Sequence, residues 1–294
     1  IAWFKSNLKS YDAVYLHGIW SFLHLEIASL CRKHGIEYII RPHSNLDPLD
    51  LKKKYWLKKL VGNLWLNKIL ESAKYLHTTA KVETERIKTY GAEVNFYEVG
   101  LPIPTKDIHE AGSGKKIAKP IQFLFLSRIH PKKGLDFFLE VLSDLDNDAY
   151  HLTICGTGEK SYEKYIKSII KKNNLESNVT FKGFVTGKEK KEVIKSSDVF
   201  ILSSHFENFG NVIFEMLRFN KTVIISKNIF IWKELSKHDV GWFLDLDKKS
   251  WENTLSSIFN NPELLNKKTS EYENALNEYS FEEIGSKYVE MLVG

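Results

Sequence analysis

Arg128 and Lys133 stand between an apolar run, Ile121-Gln122-Phe123-Leu124-Phe125-Leu126, and an amphipathic stretch that opens at Gly134. Two cations after a strand and beside a helix start make a pocket for a pyrophosphate. Exposed N–H groups and the helix dipole add to the side-chain charges there. Outside that context an Arg-x4-Lys pair reads as a solvated loop with one salt bridge. Glu207 and Glu215 form the second constellation. Four glutamate pairs in the chain share their spacing of eight, so spacing alone proves nothing. Context separates this pair: residues 203–210 are a turn leaving an apolar strand, and Asn211-Val212-Ile213-Phe214-Glu215-Met216-Leu217 begins a helix. Glu207 then sits on the loop and Glu215 about one turn inside the helix. Carboxylates accept paired hydrogen bonds, so both suit sugar hydroxyls. The plainer alternative makes Glu215 a partly buried helix residue with a local partner.

Gly156 and Gly158 follow a further apolar strand, but Ser161 stands where the third glycine of G-x-G-x-x-G belongs. No Rossmann cofactor is therefore expected, and a close approach of backbone to a ligand is. The ten histidines contain no H-x-x-x-H or H-E-x-x-H pair, so no metal site is expected. His17 and His43 each end a strand of the first part, within His17-Gly18-Ile19-Trp20 and Arg41-Pro42-His43-Ser44-Asn45. His130 and His205 lie in loops without an arguable role, and the other six read as surface or packing residues. No G-x-S-x-G turn is present, which disfavours a hydrolase.

These residues need elements to hold them. Short β-branched or aromatic runs alternate with helical periodicity, which points to parallel sheets built from βαβ units. Strands are expected at 13–16, 38–41, 75–78 and 95–99, with helices at 21–34, 51–72 and 81–90. Residues 110–116 read as a linker. Strands follow at 121–126, 150–155, 179–182, 198–202, 222–226 and 241–244. Helices fill the gaps at 134–145, 160–173, 188–195, 210–219 and 230–236, and others at 250–258, 263–276 and 280–291 close the chain. The reading is two doubly wound α/β domains, with the loops at the carboxyl ends of the strands sharing one cleft.

Composition agrees with a soluble globular chain long enough for two domains: 294 residues, 43% hydrophobic and 27% charged. Two cysteines outside any C-x-x-C pair make a thiol zinc site unlikely on spacing and a reducing cytoplasm the default. No apolar run is long enough to cross a bilayer. Ile1-Ala2-Trp3-Phe4 has neither an initiator Met nor a signal-peptide layout, so the chain is expected to begin inside a domain. Charge is uneven. Residues 1–115 hold 17 basic and 12 acidic side chains, and residues 116–294 hold 25 of each. The excess peaks at Lys52-Lys53-Lys54-Tyr55-Trp56-Leu57-Lys58-Lys59, either a solvated helix face or a basic amphipathic segment meeting anionic lipid headgroups. A nucleic-acid surface would need more basic clusters with interleaved aromatics and is not expected.

Taken jointly, the loops resemble a family. Ser127-Arg128-Ile129-His130-Pro131-Lys132-Lys133-Gly134, Cys155-Gly156-Thr157-Gly158, Gly183-Phe184-Val185 and the stretch Glu207-Asn208-Phe209-Gly210-Asn211-Val212-Ile213-Phe214-Glu215 are similar to the donor half of GT-B retaining glycosyltransferases of the family 4 type. The acceptor-side loops around His17, Gly18, Trp20, His43 and Asn45, and Thr78-Thr79-Ala80-Lys81-Val82-Glu83, resemble a subgroup that builds surface polysaccharides. The resemblance implies a GT-B fold of two Rossmann-like domains: 1–115, incomplete at its front, and 116–276, with 277–294 a closing helix that crosses back. It implies a nucleotide-diphospho-sugar donor, UDP by family habit, and a glycan or lipid-linked acceptor.

In that scheme Arg128 and Lys133 hold the pyrophosphate, Glu215 the ribose and Glu207 the donor sugar. Backbone around Phe209, Gly210, Asn211 and Val212 completes the contacts, Gly156 approaches the ligand, and Phe184 and Val185 line the base. His43 approaches the sugar from the first domain. No cofactor and no metal is implied. The sequence departs from the family at Asn220-Lys221-Thr222-Val223, where a glycine usually precedes the strand, and at Val99-Gly100, where Asn-Gly is usual. It also lacks the strand–helix–strand region that carries the Gly-rich acceptor loop. A non-catalytic nucleotide-sugar-binding module and, less so, a nucleotide-sugar epimerase are the alternatives.

Overall fold

The computed structural model describes residues 1–52, 55–104, 117–267 and 271–294, and the side chains of Tyr55, Lys59, Asn63 and Lys267 lie outside that description. The expected linker at 110–116 and the lysines Lys53 and Lys54 also lie outside the described residues. The chain divides into two units, 1–102 with 282–294, and 103–281. The second unit begins earlier than the linker composition suggests, because the Ile103 N–H donates to the Tyr279 carbonyl at 2.7 Å.

In the first unit β1 (Ala13–His17), β2 (Glu37–Arg41), β3 (Tyr75–Thr78) and β4 (Phe96–Glu98) form a sheet in that order, every pair parallel. The second unit holds β5 (Ile121–Leu126), β6 (Tyr150–Cys155), β7 (Val179–Gly183), β8 (Val199–Leu202), β9 (Thr222–Ser226) and β10 (Gly241–Leu244). Their order is β10-β9-β8-β5-β6-β7, again all parallel. Helices cover both faces of such a sheet, so its central strands carry unbroken apolar runs instead of alternation. All four residues of β8 and all five of β9 are buried. Beside them Trp251, Phe138, Phe123, Tyr150 and Phe259 pack ring to ring at 5.9–6.1 Å.

The single helix expected over 51–72 is broken. Helices run Pro48–Leu51 and Tyr55–Val61, a π turn follows at Gly62–Leu66, and Asn67–Glu71 resumes the α-helix. The break centres on Gly62. A Cβ there would lie 2.7 Å from the Tyr90 hydroxyl, which donates to Asn67 Oδ1 at 2.9 Å, and the Asn67 N–H reaches back five residues to the Gly62 carbonyl. The helix Ala2–Asn7 carries no buried residue and left no apolar stripe to read. The last helix, Phe281–Val293, belongs to the first unit, where Tyr288 meets His77 edge-on at 5.2 Å. Among the described residues no helix is long and apolar enough to cross a membrane.

Candidate functional site

In the second unit the chain starts at β5 and departs in both directions, to β6 and β7 on one side and to β8, β9 and β10 on the other. The loops after β5 and β8 therefore diverge, and that opening at the carboxyl ends is where doubly wound sheets take ligands. Backbone bonds tie the loops into one row. Gly156 N–H meets the Gly183 carbonyl at 2.6 Å, Ser127 and Ile129 N–H meet Cys155 and Thr157, and His205 N–H meets Lys132 at 2.8 Å. Ser203 Oγ donates to the Gly134 carbonyl at 2.7 Å, and Ser226 Oγ to the Ser204 carbonyl at 2.5 Å.

Lys133 ends a short 3-10 turn, Pro131–Lys133, which His130 caps by accepting the Lys132 N–H on Nδ1 at 3.0 Å. This gives His130 the role the sequence did not supply. The Lys133 ammonium donates to the Glu207 carboxylate across the opening. Glu207 is held by its backbone, its N–H on Asn228 at 3.2 Å and its carbonyl under Phe230 N–H at 3.0 Å. Gly210, at φ +71°, starts the helix Asn211–Arg218, whose first N–H groups have no carbonyl of their own turn to meet. Arg128 is exposed, on backbone fixed from both sides. Glu215 lies half-buried with the Lys190 ammonium at 2.7 Å, so it has the local partner that the plainer reading gave it. Asn211 is exposed and Val212 half-buried.

Three of the expected donor-site residues pack against their own fold. At Gly156 a Cβ would fall 1.9 Å from the Ser127 carbonyl oxygen, so neighbouring loops approach closely there. Phe209 is 3% exposed and stacks on Phe214 at 4.9 Å, which leaves only its backbone to the site. Val185 is buried as well, whereas Phe184 beside it is 74% exposed. The departure at Asn220 has a local explanation. Asn220 adopts φ +52°, the left-handed region that asparagine tolerates better than other side chains.

The first unit gathers the residues expected on the acceptor side at the ends of β1 and β2. His17 Nδ1 and His43 Nε2 are 3.0 Å apart, and the rings stack at 5.3 Å. Gly18, at φ +92°, donates to the Arg41 carbonyl at 2.8 Å, and the Trp20 indole N–H to the Asn45 carbonyl at 3.0 Å. His43 and Ser44 are consecutive non-glycine residues at φ +49° and +63°. Such strain persists only where the surroundings over-determine it. Here Glu83 does so: buried, it accepts Ser44 N–H at 3.1 Å and Thr79 N–H at 2.8 Å. Asp47, fully buried and held by the Arg86 guanidinium, caps the next turn at Leu49. The sequence placed Arg41 and Glu83 in these loops without giving either a role. The Thr79 to Glu83 spacing, a capping pattern one residue longer than usual, was the available signal.

Burial, with Arg41 next, lowers the His43 pKa to about 4. Burial does the same for His77, against the upward pull of the Val99 carbonyl. His77 donates from Nε2 to that carbonyl at 2.7 Å and takes the Tyr15 hydroxyl on Nδ1. The unfolded chain protonates such a residue near pH ~6.5, the folded chain only near about 4. Stability present above the unfolded value is therefore lost as pH falls toward the folded one. Urea unfolding between about pH 7 and about pH 5 should show a loss on the order of 2 kcal/mol smaller in His77→Gln than in the parent chain, with the His43 share kept in both. An identical pH slope in the variant would assign the loss elsewhere.

The model of the glycosyl transferases group 1 matches residues 108–275, more than half of the chain. The chain belongs to the glycosyl transferases group 1. This group 1 glycosyl transferase chain is 29% identical over 119 residues to an uncharacterized glycosyltransferase of Methanocaldococcus jannaschii, covering 40% of this chain and 30% of that protein. An uncharacterized 41.2 kDa protein in the cps region of Klebsiella pneumoniae is 23% identical over 227 residues, covering 74% of this chain and 60% of its own. Among solved structures, Anabaena HepE in complex with UDP and glucose superposes with a TM-score of 0.78 at 18% identity, over 99% of this chain and 80% of that one. The two parallel sheets, of four and six strands, are those of the expected two-domain GT-B fold. The matched stretches span about a third of the length of the first curated relatives.

Proposed function

We propose that the chain forms part of a retaining glycosyltransferase that moves a sugar from a UDP-sugar to a glycan or lipid-linked glycan acceptor in surface-polysaccharide assembly. The observation that carries the reading is Lys133 facing Glu207 across the opening between β5 and β8, beside a helix started by Gly210. A cation, an acceptor of paired hydroxyl bonds and open N–H groups at one switch point suit a sugar on a diphosphate. The UDP and glucose in the Anabaena structure and the cps setting of the Klebsiella relative support it.

In this reading Arg128 and Lys133 hold the diphosphate, Glu207 the sugar hydroxyls, Glu215 the ribose, and His43 serves the acceptor side. The acceptor oxygen attacks on the face that the diphosphate leaves. The new C–O bond forms as the sugar–phosphate C–O bond breaks, and the departing phosphate oxygen takes the acceptor's proton. Lys133, Arg128 and the first-turn N–H groups stabilise the charge that gathers on the diphosphate, so no metal is required.

Calorimetric titration with UDP and GDP, each with and without chelator, tests the donor assignment. Chelator-insensitive binding of UDP is expected, and binding of neither nucleotide would overturn it. In this reading the exposed ring of Phe184 covers the base, and stacking of this kind contributes about 1–3 kcal/mol. Phe184→Ala should weaken UDP at least about fivefold, and an unchanged affinity would move the base elsewhere. We also propose a cytoplasmic protein whose segment 52–59 meets anionic lipid. Co-sedimentation with anionic vesicles should then fall with salt and with Lys→Gln changes in that segment.

A further inference from the structure

The first unit carries a groove of about 690 Å³ between the helix Phe22–His34 and the segment that runs from Tyr55 through the π turn. Its walls are Phe22 and Leu25 on one side and Leu57, Val61 and Trp65 on the other, with Ile69 as the buried floor. Three of these are left to water as they stand: Phe22 is 78% exposed, Trp65 59% and Leu57 58%. Trp56, Leu60 and Leu64, on the same segment, extend the exposed apolar surface. Continuous apolar surface of this kind marks a binding site, and the volume lies within the ~300–1,000 Å³ of small-molecule sites.

One end of the groove is polar and belongs to the acceptor loop. Trp20 lines the groove with its ring and holds the Asn45 carbonyl with its indole N–H. The Lys58 ammonium stands 5.1 Å from the Trp20 ring centre, within 3.0 Å of the Asp50 carboxylate. Five lysines fall within 52–59, in the part of the chain that carries its whole positive excess. An apolar slot with the Lys58 ammonium at one end, beside the loop that carries Asn45, has the polarity of a single-chain amphiphile with an anionic head.

We infer that this groove holds the hydrocarbon chain of a lipid-linked acceptor, its phosphate end toward Lys58 and Trp20. The inference rests on the proposed glycosyl transfer to a lipid-linked acceptor and names where that acceptor's tail lies. The tail length that fits also ranks acceptors: a water-soluble analogue without the chain meets the same loop with lower affinity.

Farnesyl diphosphate, kept below its micelle concentration, is the probe. It is titrated into the full chain in parallel with inorganic diphosphate, both with UDP present to occupy the donor side. Farnesyl diphosphate is expected to bind at least about tenfold more tightly than inorganic diphosphate. Ser29→Trp and Val61→Trp, which fill the slot from opposite walls, should each remove that difference while leaving UDP affinity and the thermal melt unchanged. Equal affinity for the two diphosphates overturns the inference, and so does tail-dependent binding that both substitutions leave intact. A chain that ignores farnesyl diphosphate but dimerises until Ser29→Trp is introduced would give the groove to a second copy instead. Failure of UDP to bind reads separately on the donor site, because the tail-dependent difference is then measured without it.

Discussion

Lys133→Ala is expected to lower sugar transfer by about 10²–10³-fold, the usual cost of removing one group aimed at developing charge. It should also weaken UDP by about tenfold, because the diphosphate loses a cation in ground and transition state alike. Glu207→Gln should behave differently. It keeps the shape of the side chain and its backbone anchors on Asn228 and Phe230, but exchanges two acceptor oxygens for one. Transfer should fall by a similar factor with UDP affinity unchanged, since in the proposed reading the carboxylate serves the sugar and not the nucleotide. Both variants should fold. The Glu207 side chain keeps 22% of its surface in water, so the carboxylate left without Lys133 costs only about 1–2 kcal/mol. Transfer is read as UDP release from the cognate UDP-sugar, and affinity by calorimetry. Normal turnover in both variants would sink the site assignment.

Gly134→Ala is expected to cost more stability than either of those changes. Gly134 sits at φ +65°, which any Cβ resists by about 1–2 kcal/mol. That Cβ would also fall 1.9 Å from the Ser203 carbonyl oxygen and 2.9 Å from its carbon. Neither atom belongs to a flexible side chain, so the backbone after β8 must move. The bond from Ser203 Oγ to the Gly134 carbonyl fixes the same junction, and Glu207 lies on the loop that would be displaced. A loss of about 3 kcal/mol or more should therefore come with loss of UDP binding, read from urea midpoints and calorimetry on one preparation. Gly183→Ala is the control: φ there is +74° with nothing within 4 Å of the added Cβ, so only the conformational cost remains. Equal losses in the two variants would show that packing against Ser203 contributes nothing.

The strands were legible because each is a short β-branched or aromatic run bounded by turn residues. β3, β5, β6, β9 and β10 lie on the residues expected, and the others differ by one residue at their ends. Helix boundaries were nearly as clear, except where a contact from elsewhere intervenes. Nothing local in Gly62-Asn63-Leu64 announces that the Tyr90 hydroxyl lies where a Cβ at position 62 would be. At the candidate site, residue types were legible but not their partners. Lys133 and Glu207 are 74 positions apart, and Glu215 takes Lys190 from a helix that follows a different strand. The same holds for Gly156: its type was legible, but not that the loop after β5 lies against it.

By itself the sequence determined the alternation of strands and helices, the parallel class of both sheets and the loops that carry Arg128, Lys133, Glu207 and His43. These follow from periodicity and turn chemistry within a few neighbouring residues, which act before any tertiary contact forms. The tertiary structure alone decided that β5 lies between β8 and β6, and so that Lys133 meets Glu207 where their loops diverge. It also decided that buried Glu83 holds the left-handed turn at His43 and Ser44, and that two helices leave an apolar groove beside Trp20. Each of these depends on which crossover brings distant segments side by side, and the periodicity of a strand is the same wherever in the sheet it is placed.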